Sequence, residues 1–381
     1  MKLIRTLGIA IPLMLSSYQA SSGVCSNSGS KLHAGYINGM ITTLDRALNN
    51  SEALSNSIMP QLEGAGHSTK WVLHYNNDEA ILDQVEQLID QKTSDQASKF
   101  VLMLQSFTSD MESMSGEMIG ENSTFGENLR ATIADFYLEF SEDLQSILMS
   151  LANKSNSHWA NDEDLYSMLT FLKNDIDSEC YKVLLLPHSQ GNFYANALYQ
   201  ALYGLSSNGY NISDFKLIGQ LSLGAPTSAI GGGLTPIKDE DSITAILSHK
   251  DDIILNLMSG LGLSVSEQTV DTPTSDLSAH GLIETFLRVP EIEARMHETA
   301  LKIANELEPM PLYQYSVASS AMQSAGHNDF DEVLDIKFPA GEEYRYYNVP
   351  LSVYESMRSA PSVGAYFNKN IRNDYYYIRF K

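Results

Sequence analysis

Pro187-His188-Ser189-Gln190-Gly191 lies between an apolar run, Val183-Leu184-Leu185-Leu186, and a helix-patterned stretch that starts at Asn192. A strand, a sharp turn carrying a serine and then a helix lift a hydroxyl onto the rim of a parallel sheet. A base and backbone N–H donors can reach it there. Phe193, Ala197, Leu198, Ala201 and Leu202 recur at helical spacing and give that helix one buried face. The usual elbow has Gly two residues before the serine. Pro187 stands there instead, compatible with a strand end but lacking a donor.

The flanking sequence alternates in the same style. Residues 33–38 read as a strand ending in Asn38-Gly39-Met40, and residues 43–59 as an amphipathic helix. Trp71–Tyr75 forms a second strand, followed by a helix with Ile81, Val85, Leu88 and Ile89 on one face. Leu217–Leu223 and Ile243–Leu247 are further strands, and 291–307 is a closing helix. Strands separated by helices predict an α/β fold with a mostly parallel sheet. The rhythm stops between about 94 and 180, where 16 Asp/Glu against 4 Lys/Arg mark an acidic helical insertion. Its clearest apolar stripe runs from Ile133 through Phe136, Tyr137, Phe140, Leu144, Ile147 and Leu148 to Leu151, as in a cap. Pro309 and Pro311 then read as a linker to a small α+β domain at 313–381.

A net charge of -23 argues against nucleic acid as the main partner, since phosphate backbones are bound by clustered Lys and Arg. Lys2 and Arg5 precede a nine-residue apolar stretch, Leu7–Leu15, too short for a bilayer core of roughly 30 Å. Small residues follow, so 1–22 is expected to be a signal peptide and the protein to be exported, periplasmic or secreted, with no transmembrane segment. No closely spaced Cys and His suggest a metal, and no cofactor is expected.

A serine hydroxyl is a poor nucleophile without a base, a group to orient the base, and donors for the oxyanion. Of nine histidines, only His280, His297 and His327 follow the candidate acids. His297 falls inside the closing helix and His327 in the tail. His280, in a loop before Leu282, Ile283, Phe286 and Leu287, is the expected base. The strand 243–247 delivers Asp251 and Asp252 at its C-terminal end, where parallel-sheet sites form. The apolar pair Ile253-Ile254 favours Asp251 as the acid, with Asp252 the alternative. The oxyanion donors are expected at Gln190 and Met40, with Asn76 and Asn77 as the fallback.

Leu184–Asn196, the Gly224-Ala225-Pro226 turn, the Asp251/Asp252 turn, His280 and the 33–91 region together resemble the lipase-like branch of the α/β-hydrolase superfamily. That resemblance covers about 33–91 and 180–307, and implies an α/β-hydrolase domain over 30–307 with the insertion as its cap. In that fold the strands preceding Asn38 and Ser189 lie side by side. Cys25 and Cys180, the two cysteines of the chain, precede them, so the resemblance implies a structural disulfide. The tail resembles a second family, the KTSC domain, through Ser319-Ser320, Gly326, Leu334, Phe338, Gly341, Tyr344, Tyr346, Val349-Pro350, Val353-Tyr354, Gly364, Tyr366-Phe367-Asn368 and Ile371-Arg372.

The expected function is that of an exported serine hydrolase, lipase- or esterase-like, cleaving carboxylic esters of hydrophobic acyl groups. Its partner would be a small-molecule or lipid ester. The alternative is a non-catalytic binding protein on the same scaffold.

Overall fold

The computed structural model describes residues 30–39, 42–76, 163–227, 230–231, 240–260, 266–276, 278–311, 313, 315–317 and 319–381. The expected signal peptide, Cys25, Met40, Asn77, the helix at 81–89 and the apolar stripe at 133–151 lie outside them. Among the described residues no helix is long and apolar enough to cross a membrane, and no cluster of three or more His, Cys, Asp or Glu is arranged to hold a metal ion.

The chain opens with β1 (Lys31–Ile37), α1 (Leu44–Gly64) and β2 (Ser68–His74). Thr43 caps α1 by accepting the amide of Arg46. The helix passes the predicted stop at 59 and contains Pro60. Its buried stripe, Ala47, Asn50, Ser51, Leu54, Ile58 and Leu62, continues across the proline, so packing carries it one turn further. Two elements then close the insertion, α2 (Glu163–Asn174) and a π-helical turn, Asp175–Glu179. The turn ends at Cys180, which is disulfide-bonded and holds a left-handed backbone at φ 60°.

Next come β3 (Lys182–Pro187), α3 (Gly191–Tyr203), the small hairpin β4 (Ser206–Ser207) and β5 (Tyr210–Asn211), and β6 (Ile218–Leu223). The short helix α4 (Glu240–Ile243), β7 (Thr244–Leu247), α5 (Ile253–Gly260) and α6 (Pro290–Glu306) complete the domain. Every residue of β3 and of β6 is buried, as strands covered on both faces must be.

The strands form a parallel sheet in the order β2-β1-β3-β6-β7. The chain moves outward one way from β1 to β2 and the other way from β3 through β6 to β7. The order therefore reverses between β1 and β3, and in open α/β sheets ligands bind outside the C-terminal strand ends at such a point. Two glycines permit the packing. On Gly191 a Cβ would fall 2.4 Å from the carbonyl oxygen of Ile37, and on Gly35 it would fall 2.7 Å from the His74 ring. His74 is part of a buried polar chain. Its Nε2 lies 2.9 Å from His33 Nε2, and His33 Nδ1–H donates to Asp175 at 2.7 Å.

The C-terminal unit holds β8 (Tyr315–Ser316), β9 (Ser324–Asn328), β10 (Val333–Lys337), β11 (Glu343–Tyr346), α7 (Leu351–Ser359), α8 (Val363–Asn370) and β12 (Tyr377–Arg379). Its sheet is antiparallel, in the order β12-β11-β10-β9-β8. Its core includes Met322, Leu334, Ile336, Tyr346, Met357 and Phe367.

Strand alternation divides this sheet into two faces. Tyr346 turns into the unit's own core, whereas Glu343 and Arg345 turn toward the first domain. Arg345 is fully buried, forks onto Asp335 at 2.8 and 2.9 Å, and reaches Glu308 at 3.4 Å. Its guanidinium lies 5.0 Å from the Phe215 ring centre. Tyr210 and Tyr313 both donate to Glu343, Lys182 pairs with Asp331 at 2.8 Å, and Phe380 packs on the first domain's core. The tail has a core of its own, but it is fastened beneath the N-terminal ends of the parallel strands.

Arg345→Met strands the Asp335 carboxylate in the interior. It is expected to lower unfolding free energy by about 3–5 kcal/mol, read as a lower urea midpoint. The double variant with Asp335→Leu is expected to recover much of that loss.

Candidate active site

The turn after β3 is a tight elbow. Ser189 sits at φ +53°, a left-handed conformation that a non-glycine residue holds only when its surroundings impose it. Those surroundings are visible. The amide of His188 donates to Ile37 O at 3.1 Å and that of Ser189 to Leu223 O at 3.0 Å, tying the turn to both neighbouring strands. The amide of Asn192 donates back to Ser189 O, and its side chain donates to Ser189 O at 2.8 Å and Leu223 O at 3.2 Å. Pro187 is accommodated as the last residue of β3, where the following two amides make the cross-strand bonds.

Three side chains distant in sequence meet here. Ser189 Oγ–H donates to His280 Nε2 at 2.8 Å, and His280 Nδ1–H donates to Asp252 Oδ2 at 2.7 Å. All three are buried. Burial alone would lower the His280 pKa, but the charge and hydrogen bond of Asp252, together with the charge of Asp276, leave it raised above the ordinary 6.5. Gly224 makes room for the pair: at φ +51°, a Cβ there would lie 3.1 Å from His280 Cε1.

The sequence favoured Asp251 as the partner of His280, and the geometry corrects this. Asp251 is exposed, and its amide donates to His249 Nδ1 at 3.0 Å. Asp252 is fully buried and caps α5, its Oδ1 accepting the amides of Ile254 and Leu255 at 3.0 Å each. A capping carboxylate sits immediately before the first helical residue and is steadied by the helix N-terminus. Its two oxygens are thereby assigned, one to the helix and one to the imidazole. An Asp directly ahead of the helical run Ile253-Ile254-Leu255 was the signal available in the sequence.

The other late histidines are placed elsewhere. His297 faces Ser57 at 2.6 Å, and His327 donates to Val349 O at 2.6 Å. Gln190 follows Ser189 at the N-terminal end of α3, where a backbone N–H can serve an oxyanion. Met40 lies outside the described residues, but Gly39 just before it closes over the elbow; a Cβ there would be 3.0 Å from Ser189 Cβ. Asn76, the fallback donor, is spent in a reciprocal clasp. Its amide donates to Asn38 Oδ1 at 2.9 Å and its side chain to Asn38 O at 2.9 Å.

Asp276 was not foreseen. Its carboxylate accepts the amides of Ser278, His280 and Gly281 and the hydroxyls of Ser278 and Thr285, and so shapes the loop that presents His280. Burial raises its pKa, but these donors outweigh burial and leave it lowered, so the carboxylate is held charged.

Residues 318–376 match the KTSC domain family model. Over 52 residues the chain is 36% identical to a protein of Tsukamurella paurometabola, covering 78% of that protein and 14% of this chain. Over 61 residues it is 31% identical to an uncharacterized protein of Stutzerimonas stutzeri, covering 86% of it and 16% of this chain. A crystal structure of a KTSC domain protein from Yersinia pestis is 28% identical with a TM-score of 0.17, covering 94% of that chain and 18% of this one. Each of the two sequence relatives thus aligns with less than a fifth of this chain.

Proposed function

We propose, for a chain that belongs to the KTSC family through its C-terminal domain, that the parallel-sheet domain is a serine hydrolase of carboxylic esters. The observation that carries this reading is the unbroken relay from Ser189 through His280 to Asp252 at the C-terminal edge of β3. In the acylation step Ser189 Oγ attacks the acyl carbon while its proton passes to His280 Nε2. Asp252 keeps the imidazole in the tautomer that can accept it and stabilises the cation. The C–O bond to the alcohol then breaks, and the alkoxide leaves with the proton from Nε2. Water repeats the sequence to release the acid. Gln190 N–H, with a second donor from the Gly39-Met40 turn, holds the oxyanion.

Hydrophobic acyl groups are favoured by the apolar stripe of the insertion, and export by the N-terminal residues. The test is labelling with a serine-directed fluorophosphonate, located by peptide mass, beside a panel of p-nitrophenyl esters of increasing chain length. Exclusive modification of Ser189 together with ester turnover supports a hydrolase. Folded protein that takes up no probe and turns over no ester supports the non-catalytic scaffold.

The raised pKa of His280 gives a pH prediction. Catalysis needs the neutral imidazole, so kcat/KM is expected to rise through an acid limb whose midpoint lies above 6.5. Stability runs the other way. A raised folded-state pKa contributes stability that is fully present below 6.5 and is lost as pH climbs through the folded value. Ester rates and thermal midpoints measured over the same buffers check both limbs.

A further inference from the structure

We infer that His188 is a positioning residue: it fixes the main chain of His280 and so sets the imidazole in register between Ser189 and Asp252. Its kinetic consequence rests on the hydrolase reading, whereas its structural consequence does not.

The peptide groups on both sides of residue 280 are gripped. The amide of His280 donates to Asp276 Oδ2 at 3.1 Å, within its own loop. The carbonyl accepts from His188 Nε2–H at 2.7 Å, and this bond crosses from the nucleophile turn to the base loop. Ala279, just before, holds φ +50°, so the loop is in a conformation that needs outside restraint. The His188 ring lies 5.1 Å from the His280 ring and edge-on to Phe286 at 6.1 Å. Its main chain is anchored to Ile37 and bridged to Leu223. The residue adjoining the nucleophile therefore carries the base on its own side chain, and the two cannot drift apart independently.

The chemistry of the donor fits the task. A carbonyl oxygen only accepts, so His188 must carry its proton on Nε2. Burial, followed by the nearness of His280, holds its pKa down to about 3, so it stays neutral when His280 becomes an imidazolium. A Lys or Arg there would oppose that charge. A neutral donor reaching as far as an imidazole Nε2 is what the site admits, and Gln is the other residue of that description.

The experiment compares His188→Phe, which keeps the ring but loses the donor, with His188→Gln, which keeps the donor. With p-nitrophenyl acetate, Phe is expected to lower kcat about 10²-fold, the cost of a roughly 1 Å misplacement, while KM stays within about twofold. Gln is expected to stay within about fivefold of the parent. The second readout is the far-downfield proton resonance of His280 Nδ1–H, assigned by its loss in Asp252→Asn. It should vanish or broaden in the Phe variant and persist in the Gln variant.

Unchanged kcat and an unchanged resonance in His188→Phe overturn the inference, as does a Gln variant impaired equally in both readouts. If the parent neither hydrolyses ester nor takes up phosphonate, the hydrolase reading falls and the resonance alone decides. Survival in Phe then rejects the positioning role, and loss in Phe with retention in Gln upholds it. Should His188→Phe not fold, His188→Asn, whose amide is too short for the carbonyl, takes its place.

Discussion

Ser189→Ala is expected to lower kcat on p-nitrophenyl butyrate by about 10⁶-fold, since loss of the nucleophile from a triad costs nearly everything the triad supplies. The change removes one oxygen. Alanine is no more strained than serine at φ +53°, so the elbow and its bonds to Ile37 and Leu223 stay in place. Circular dichroism and the urea midpoint should therefore match the parent. A variant that keeps parental rates while remaining folded would leave the bond between Ser189 and His280 without a catalytic use.

Asp252→Asn is expected to lower kcat about 10⁴-fold, whereas Asp251→Asn stays within about twofold of the parent. The contrast follows from what asparagine keeps and loses. Its oxygen can still cap α5, so the helix survives. Its NH₂ then faces His280 Nδ1 and donates where the carboxylate accepted. The imidazole must carry its proton on Nε2, the nitrogen that has to receive one from Ser189. Asp251 has no such constraint, being exposed and contributing to this turn through its backbone amide. Equal losses at the two positions, measured on folded protein, would reject Asp252 as the acid.

Much of the architecture was legible because it rests on local periodicity. The apolar run 183–186, the elbow and the helix after it appear at their expected positions, as do the strands leading to Asn38 and to the Asp251-Asp252 turn. In the tail, a mixture of strands and helices was expected, but nothing in the local pattern marked Ser324–Asn328 as a strand or Val363–Asn370 as a helix. The sequence Ser-Ala-Gly-His-Asn has little intrinsic strand preference and is recruited by pairing with β10, a tertiary choice.

The site was legible to the level of residue type and chain order, but not to which of two adjacent carboxylates turns inward. That depends on which residue the α5 N-terminus takes as its cap. The roles of Asp276 and His188 were hidden for another reason. Each acts by holding a backbone group from across a loop, and nothing in a linear string records such a bond.

The fastening of the tail has a practical corollary. The surface that meets the first domain carries charge beside its aromatic contacts: Lys182 pairs with Asp331 and Arg345 with Glu308 across the seam, while Glu343 accepts from Tyr210 and Tyr313. Cutting at Pro309–Pro311 would take Asp331 from Lys182 and Arg345 from Glu308, at the floor of the very strand whose far end bends into Ser189, some six residues or about 20 Å above. A shortened version made for assay would begin with a damaged foundation, and low activity in it would say nothing about the chemistry at the top.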